Sequence, residues 1–183
     1  IYHTQNGKRI FFTKKKYEER EMHTFEEWKK KLIIVRGGGD IATGTIYKLH
    51  QSRFPVLVLE IANPSCIRRT ISFCEAVFDK EVEVEGVIAK RADSLEEAFA
   101  IYEQVQIPVI IDESGSIIQE VHPPVVVDAI LAKRNLGTKI TDAPVVIGVG
   151  PGFCAEKDVD AVIETQRGHN LGRVIYEGEA APN

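Results

Sequence analysis

The sequence predicts an α/β protein whose mostly parallel sheet is covered by helices on both faces. Short apolar runs alternate with segments of helical periodicity through residues 32–183, and this alternation is typical of parallel sheets. The apolar runs are nearly continuous, as in strands that are buried on both sides. The chain has 183 residues, which is the length of one ordinary domain.

The first predicted strand, residues 32–35, leads into a glycine loop. Residues 41–51 then place apolar side chains at helical spacing, and Asp40 is positioned to cap that helix. A second strand over residues 54–59 ends at Glu60. The first part of the body is therefore predicted as strand, loop, helix and strand.

The alternation continues along the chain. A helix is predicted over residues 66–78, two short strands flank Gly86, and the sequence of residues 94–97 is a capping box that begins another helix. A further helix is predicted near residues 129–133. The remaining strands are predicted at residues 108–111, 125–127, 144–147, 161–163 and 173–176.

Charge separates the first 31 residues from the rest. Residues 1–31 hold nine Lys and Arg against five Glu, whereas residues 32–183 hold 14 basic and 22 acidic residues. We therefore expect a basic, polar amino-terminal extension, either a solvated tail or a loosely docked hairpin, before a single domain.

The acidic body argues against nucleic-acid binding, and no apolar stretch approaches a membrane span. Three cysteines without C-x-x-C spacing indicate reduced thiols and a cytoplasmic location.

The loop after the first strand carries the main candidate chemistry. Gly37, Gly39 and Ala42 match the pattern G-x-G-x-x-G/A between a strand and a helix. Glu60 follows Gly37 by 23 residues, close to the spacing of the acidic residue that contacts a ribose in dinucleotide-binding folds. Together these features predict a Rossmann-like domain that binds a ligand bearing a phosphate.

Glycine and a helix start suit a phosphate for physical reasons. Gly37 permits a tight turn, Gly39 lets a phosphate approach the backbone, and free N–H groups at the helix start attract an anion. Asp40 weakens the match, because its carboxylate competes for the same N–H groups. The alternative is that the glycines only make a tight connection. The candidate binding residues of the loop are Gly37, Gly38, Gly39, Asp40, Ala42 and Gly44.

Arg68 and Arg69 are predicted in the first turn of the helix over residues 66–78. They follow the carboxyl end of the second strand, where open α/β sheets bind their ligands. Cations at a helix start oppose the helix dipole, so either a bound anion or a carboxylate, Glu60 or Glu75, is expected to offset them. Glu60 is correspondingly predicted to contact either a ribose or these arginines.

A later strand is followed by Glu164, Arg167 and His169, which are predicted at the same ligand-facing edge. His169 is either an acid or base or simply a solvated histidine. The five histidines are scattered, without ligand spacing, so no metal site is predicted. Neither a nucleophile elbow nor a Tyr-x-x-x-Lys pair is found, so no catalytic residue is assigned and enzymatic activity is left open.

Four blocks of sequence, residues 33–44, 60–78, 132–153 and 162–176, resemble the YqeB family. Its members are accessory proteins predicted to serve selenium-dependent molybdenum hydroxylases. The resemblance covers residues 32–183 and implies that a carboxyl-terminal region of the family is missing here. The ligand-edge residues that it implies are Gly37, Gly39, Gly44, Arg68, Arg69, Arg167 and His169.

The resemblance implies a cytoplasmic maturation factor for a molybdenum hydroxylase. Its partners would be the hydroxylase apoprotein and a small phosphorylated ligand, the molybdenum cofactor in the form of molybdopterin or its dinucleotide. Two alternatives stay open: an NAD(P)-dependent oxidoreductase, and a protein-interaction module without a small ligand.

Overall fold

A computed structural model describes residues 24–182 of the chain. Its strands are β1 (Ile33–Arg36), β2 (Val56–Glu60), β3 (Glu81–Val84), β4 (Val87–Ala92), β5 (Ile107–Ile111), β6 (Val125–Asp128), β7 (Val145–Val149), β8 (Cys154–Ala155), β9 (Ala161–Ile163), β10 (Val174–Ile175) and β11 (Gly178–Glu179). Its helices are α1 (Phe25–Lys31), α2 (Asp40–Gln51), α3 (Ala76–Asp79), α4 (Leu95–Glu103) and α5 (Ser116–Val121). None of these helices is long and apolar enough to cross a lipid bilayer.

Nine strands form one sheet in the order β10-β9-β7-β6-β1-β2-β5-β4-β3, and β8 pairs with β11 separately. The edge pairs β3–β4 and β9–β10 are antiparallel, and the other neighbours in the large sheet are parallel. β1 lies at the centre, with Ile33 opposite Val56 on one side and Val125 on the other. The prediction of an α/β fold with a mostly parallel sheet is confirmed.

Alternating side chains of β1 enter two separate cores. Ile34 belongs to a cluster with Trp28 of α1 and Tyr102 of α4. Val35 belongs to a cluster on the other face with Ile46 of α2. Helices therefore cover both faces of the sheet at β1, which is why the first strand is wholly apolar until its last residue.

The helix predicted over residues 66–78 is wrong. That segment contains two 3₁₀ turns, Arg69–Ile71 and Phe73–Glu75, and only then the single turn α3. The N–H of Phe73 bonds the Thr43 hydroxyl, and the N–H of Cys74 bonds the Gly38 carbonyl. Because these donors bond the glycine loop and α2, they cannot close an α-helical ladder.

The helix predicted near residues 129–133 is also wrong, whereas α5 was not predicted. Leu131 and Lys133 have φ angles of 58° and 59°, in the left-handed region that interrupts a right-handed helix. The start of α5 is instead fixed by Asp112, whose carboxylate accepts the N–H groups of Gly115 and Ile117.

Part of the expected amino-terminal extension is helical. Thr24 caps α1, exchanging hydrogen bonds with Glu27, and Trp28 is completely buried. Helix α1 is thus docked on the core through Trp28, whereas Glu26, Glu27, Lys30 and Lys31 stay exposed. The rest of the expected extension, residues 1–23, lies outside the described residues.

We expect alanine substitution of a buried core residue and of an exposed apolar residue to have different effects on stability. Leu57→Ala should lower the free energy of unfolding by about 2–5 kcal/mol, since Leu57 is fully buried in β2. Ile67→Ala is the matched control, since Ile67 is 98% exposed and should change it by no more than about 0.5 kcal/mol. Urea titration measures both. Equal losses in the two variants would contradict the assigned burial.

Candidate functional site

The order of the strands reverses at β1. The chain passes from β1 to β2 on one side, and β6 later pairs with the other side, so that Arg36 lies opposite Asp128. Gly37 follows at this point with a φ angle of 90°, and a Cβ on it would lie 3.0 Å from the Ala129 carbonyl oxygen. The chain makes a tight turn between two strand ends here, and only glycine fits it without strain.

Gly38 connects four parts of the structure through its backbone. Its N–H donates to Glu60 Oε2 at 2.7 Å. Its carbonyl accepts from the Cys74 N–H at 2.8 Å and from the Thr43 hydroxyl at 3.1 Å. The ends of β1 and β2, helix α2 and the segment of residues 66–75 are therefore fixed to one another at this residue.

Gly39 is the N-cap of α2 and supplies no capping side chain, so the prediction that Asp40 caps this helix is wrong, since Asp40 is its first residue. Its φ angle is −63°, and a Cβ on it would meet nothing within 4 Å. In the described part of the chain, the N–H groups of Gly39 and Asp40 have no hydrogen-bond acceptor. The Asp40 carboxylate accepts from the Ile41 N–H instead, at 2.9 Å. Two donors at the start of a helix thus remain available to an anion.

The other small residues of the loop motif lie in different environments. Ala42 is fully buried in the core between α2 and the sheet, as expected of a small residue that lets helix and strand pack closely. Gly44 is exposed and lies beside Ile41 and Lys48 on the solvent side of α2. The structure therefore does not bring Gly44 to the turn formed by Gly37.

The two arginines have different partners. Arg68 Nε lies 3.4 Å from Asp40 Oδ2, and its side chain is 62% exposed. Arg69 forms a two-pronged pair with Glu75, with Nη2–Oε1 at 2.5 Å and Nε–Oε2 at 2.7 Å. The hydrogen bonds from Arg69 hold the pKa of Glu75 below its usual value. Arg68 thus stands beside the start of α2, and Arg69 is held by a carboxylate.

Glu60 bonds the backbone instead of the arginines. Oε2 accepts the Gly38 N–H, and Oε1 accepts the Ile61 N–H at 2.8 Å. Burial raises the pKa of this carboxyl, and the two backbone hydrogen bonds offset the rise only in part. Each carboxylate oxygen accepts more than one hydrogen bond, so Glu60 retains capacity for a ligand hydroxyl.

A cavity of about 310 Å³ adjoins the glycine turn, a volume at the lower end of the range for small-molecule sites. Its lining includes Arg36, Gly37, Glu60, Ile61 and Ile130. Asp112 also lines it. Burial acts to raise the pKa of Asp112, but the Ile117 N–H and the nearby serine donors outweigh it, so that the pKa is lowered.

Sequence reasoning missed a buried polar cluster at the same edge. Arg36 Nη1 donates to Thr138 Oγ1 at 2.5 Å and lies 3.5 Å from Asp128 Oδ2. The Thr138 hydroxyl in turn donates to Asp128 at 2.5 Å. All three residues are more than 90% buried. The available signal was one charged residue at the end of each of two apolar strands, β1 and β6.

The structure does not bring Arg167 and His169 to the glycine turn. Both are exposed in the connection from β9 to β10, and β6 and β7 lie between β9 and β1. Glu164 is buried and accepts the N–H groups of Gln166 and Ala181 at 2.7 and 2.8 Å. It thereby fastens the carboxyl-terminal segment to the end of β9.

The described residues include no group of metal ligands and no disulfide. Among residues 24–182, no three His, Cys, Asp or Glu side chains are grouped to hold a metal ion. The three cysteines are free thiols. Burial, with smaller contributions from Cys66 and Glu60, raises the pKa of the Cys74 thiol, which makes it a poor nucleophile.

From the geometry of the turn we expect Gly37 and Gly39 to differ in how far substitution by alanine lowers the stability of the protein. Gly37→Ala should destabilise the protein by more than about 1 kcal/mol, because it strains a left-handed residue and crowds Ala129. Gly39→Ala should leave stability within about 0.5 kcal/mol, because its φ angle is ordinary and its surroundings are open. Urea unfolding compares them, and a stable Gly37→Ala protein would refute the geometry of this turn.

Glu164 predicts a pH dependence of stability. Hydrogen bonds from the Ala181 and Gln166 backbone hold its pKa below the usual value. Its contribution is therefore complete above the pH at which a free glutamate titrates, and is lost as pH falls through the lowered pKa. Glu164→Gln should destabilise the protein at pH 7 and much less at pH 3, measured by urea unfolding. A pH-independent loss would contradict this.

The chain is similar to the uncharacterized protein YqeB of Escherichia coli (strain K12), with 52% identity over 152 residues. The matched region is 83% of this chain and 28% of that protein's length. No protein-family model matches the chain, and no solved structure matches it. The similarity to a segment of YqeB supports the resemblance to the YqeB family.

Proposed function

We propose that residues 32–183 form a Rossmann-like domain that binds a phosphorylated pterin cofactor or a nucleotide at residues 37–44. The strand order supports this proposal. β9, β7, β6, β1, β2 and β5 are parallel neighbours. Numbered along the chain, these six strands follow the order 6-5-4-1-2-3, which is that of Rossmann domains. The hairpin of β3 and β4 extends the sheet beyond β5.

The start of α2 is the observation that carries the proposal. The N–H groups of Gly39 and Asp40 lack an acceptor among the described residues, and space is open at Gly39. Arg68 stands beside them, 62% exposed and paired with the Asp40 carboxylate at 3.4 Å. A helix start at the reversal of strand order is where phosphates bind in such sheets. Glu60, at the end of β2, is placed to accept a hydroxyl group of the same ligand.

The proposed role in the cell rests on the family resemblance. The 52% identity supports the resemblance to YqeB, and the resemblance implies a role in the maturation of selenium-dependent molybdenum hydroxylases. The molybdenum cofactor is a pterin with a phosphate, often extended by a nucleotide. Its phosphate suits the start of α2, and the hydroxylase apoprotein would be the partner that receives the cofactor.

Two other functions remain as outcomes of the test. A Rossmann-like domain equally suits an NAD(P)-dependent oxidoreductase, which requires an acid or base beside the nicotinamide. His169 lies in the connection after β9, separated from β1 by two strands, and so gives that function little support. A protein-interaction module would bind the hydroxylase and no small ligand.

Calorimetric titration of the chain with molybdopterin dinucleotide and with NADH tests the proposal. Gly39→Val should weaken binding at least tenfold, because its side chain would cover the two free N–H groups while leaving the fold intact. Gly44→Val is the matched control. It adds the same side chain to α2 on its exposed side and should bind as the unmodified chain does.

The outcomes are distinct. Binding of the pterin ligand that is lost only in Gly39→Val supports the proposal. Oxidation of NADH with any substrate favours the oxidoreductase. Copurification with a molybdenum hydroxylase, without affinity for either ligand, favours the interaction module. A folded Gly39→Val protein with unchanged affinity would remove the phosphate site at this loop.

A further inference from the structure

Arg36 is a buried cation and the last residue of β1, directly before the glycine turn. Only 6% of the residue is exposed. Its Nη1 group donates to Thr138 and pairs with Asp128. Asp128 is itself 1% exposed and also accepts the Ile130 N–H. The positive charge of Arg36 is therefore neutralised inside the protein through one of its nitrogens.

The other two nitrogens of the guanidinium, Nε and Nη2, are not held by Asp128 or Thr138. Within residues 24–182, Nε and Nη2 of Arg36 have no hydrogen-bond acceptor. They are not among the buried side-chain polar atoms without a partner, which are Trp28 Nε1 and Gln106 Oε1. Nε and Nη2 are therefore partly accessible, and Arg36 lines the cavity of about 310 Å³. Nε also lies close to Gly115, 3.7 Å from where a Cβ on that residue would be.

The charges around this cavity do not favour an anion in it. Asp128 already balances Arg36, and the carboxylates of Glu60, Asp112 and Glu113 line the same space. A phosphate placed here would be repelled. A ligand with two neutral hydrogen-bond acceptors side by side could, in contrast, accept from the parallel N–H groups of Nε and Nη2.

The remaining walls suit a flat ring. Leu59, Ile61, Ile130 and Leu136 supply apolar surface. A carbonyl oxygen next to a ring nitrogen is the pair that arginine contacts on guanine, through O6 and N7. An oxidised or dihydro pterin ring offers the same pair, because the ring nitrogen beside its carbonyl oxygen carries no hydrogen. Both rings carry N–H donors on another edge, where carboxylates such as Glu113 are the appropriate acceptors.

We infer that Arg36 recognises the ring of the bound ligand, and that this ring is an oxo-substituted bicycle of the guanine or pterin type. Nε and Nη2 donate to its adjacent oxygen and nitrogen acceptors while Nη1 stays bonded to Thr138. The ring lies in the cavity, and the phosphate lies at the start of α2. This inference rests on the proposed function, since it names the ring of the ligand that the same site binds.

Ligand variants test the inference in the unmodified chain by calorimetry. GDP and 6-hydroxymethylpterin diphosphate present the acceptor pair. ADP carries an amino donor where guanine has its O6 oxygen, and 7-deaza-GDP lacks the N7 acceptor. One good two-pronged contact discriminates between bases by about 1–3 kcal/mol, so the better of the first two ligands should bind about 10- to 100-fold more tightly than ADP. If that ligand is GDP, 7-deaza-GDP should be weakened similarly.

Arg36→Lys is the matched protein variant. It keeps a cation to pair with Asp128 but removes the fork of Nε and Nη2. The affinity of this variant for ADP should stay within threefold of the affinity of the unmodified chain. Its affinity for the oxo-substituted ligand should be less than threefold higher than its affinity for ADP. Urea unfolding checks that the variant is folded, and the comparison of ligands in the unmodified chain decides the question if it is not.

Each outcome separates this inference from the proposed function. Preference for GDP identifies a guanine nucleotide, and preference for the pterin diphosphate identifies a pterin; both support the inference. Equal binding of GDP, ADP and the pterin diphosphate would overturn the inference and leave the phosphate site standing. Absence of binding by all three and by molybdopterin dinucleotide would overturn both.

Discussion

The backbone of Gly38 is the point on which the geometry of this edge depends. Its N–H is bonded by Glu60 from the end of β2, and its carbonyl by Cys74 and Thr43. A Cβ on Gly38 would lie 3.0 Å from the Cys74 nitrogen, so that any side chain would require the backbone at Cys74 to shift by a few tenths of an ångström. Four elements are thus held in register by three hydrogen bonds around a residue without a side chain.

That arrangement divides the site into two ends of different character. Because Glu60 occupies the Gly38 N–H, the donors left for the proposed phosphate are those of Gly39 and Asp40, beside Arg68. On the other side of the turn, carboxylates surround the cavity. In the proposed binding mode the anionic end of the ligand lies at α2, where Arg68 pairs with Asp40, and a neutral, donor-bearing end lies among the carboxylates of the cavity.

The regular core was predictable from the sequence, whereas the contacts of the site were not. Apolar runs located the strands of the large sheet, and the glycine pattern located the turn between β1 and α2. The segment of residues 66–78 has helical periodicity, yet Phe73 and Cys74 bond Thr43 and Gly38, and no local pattern reveals a partner 30 or more residues away. The cluster of Arg36, Asp128 and Thr138 was missed for the same reason, since it joins residues up to 102 positions apart.

The energetics of that cluster bear on what Arg36 does. Taking an arginine and an aspartate out of water costs several kcal/mol per ion, and replacing a buried ion pair by apolar residues is often neutral or stabilising. Neighbouring strands show that this sheet readily accepts such residues, since Leu59 lies opposite Arg36 in β2 and is 2% exposed. Stability alone is therefore a weak reason for a charge at the end of β1. The contact with a ligand ring that we infer for Nε and Nη2 would give the pair a role that an apolar side chain at position 36 could not perform.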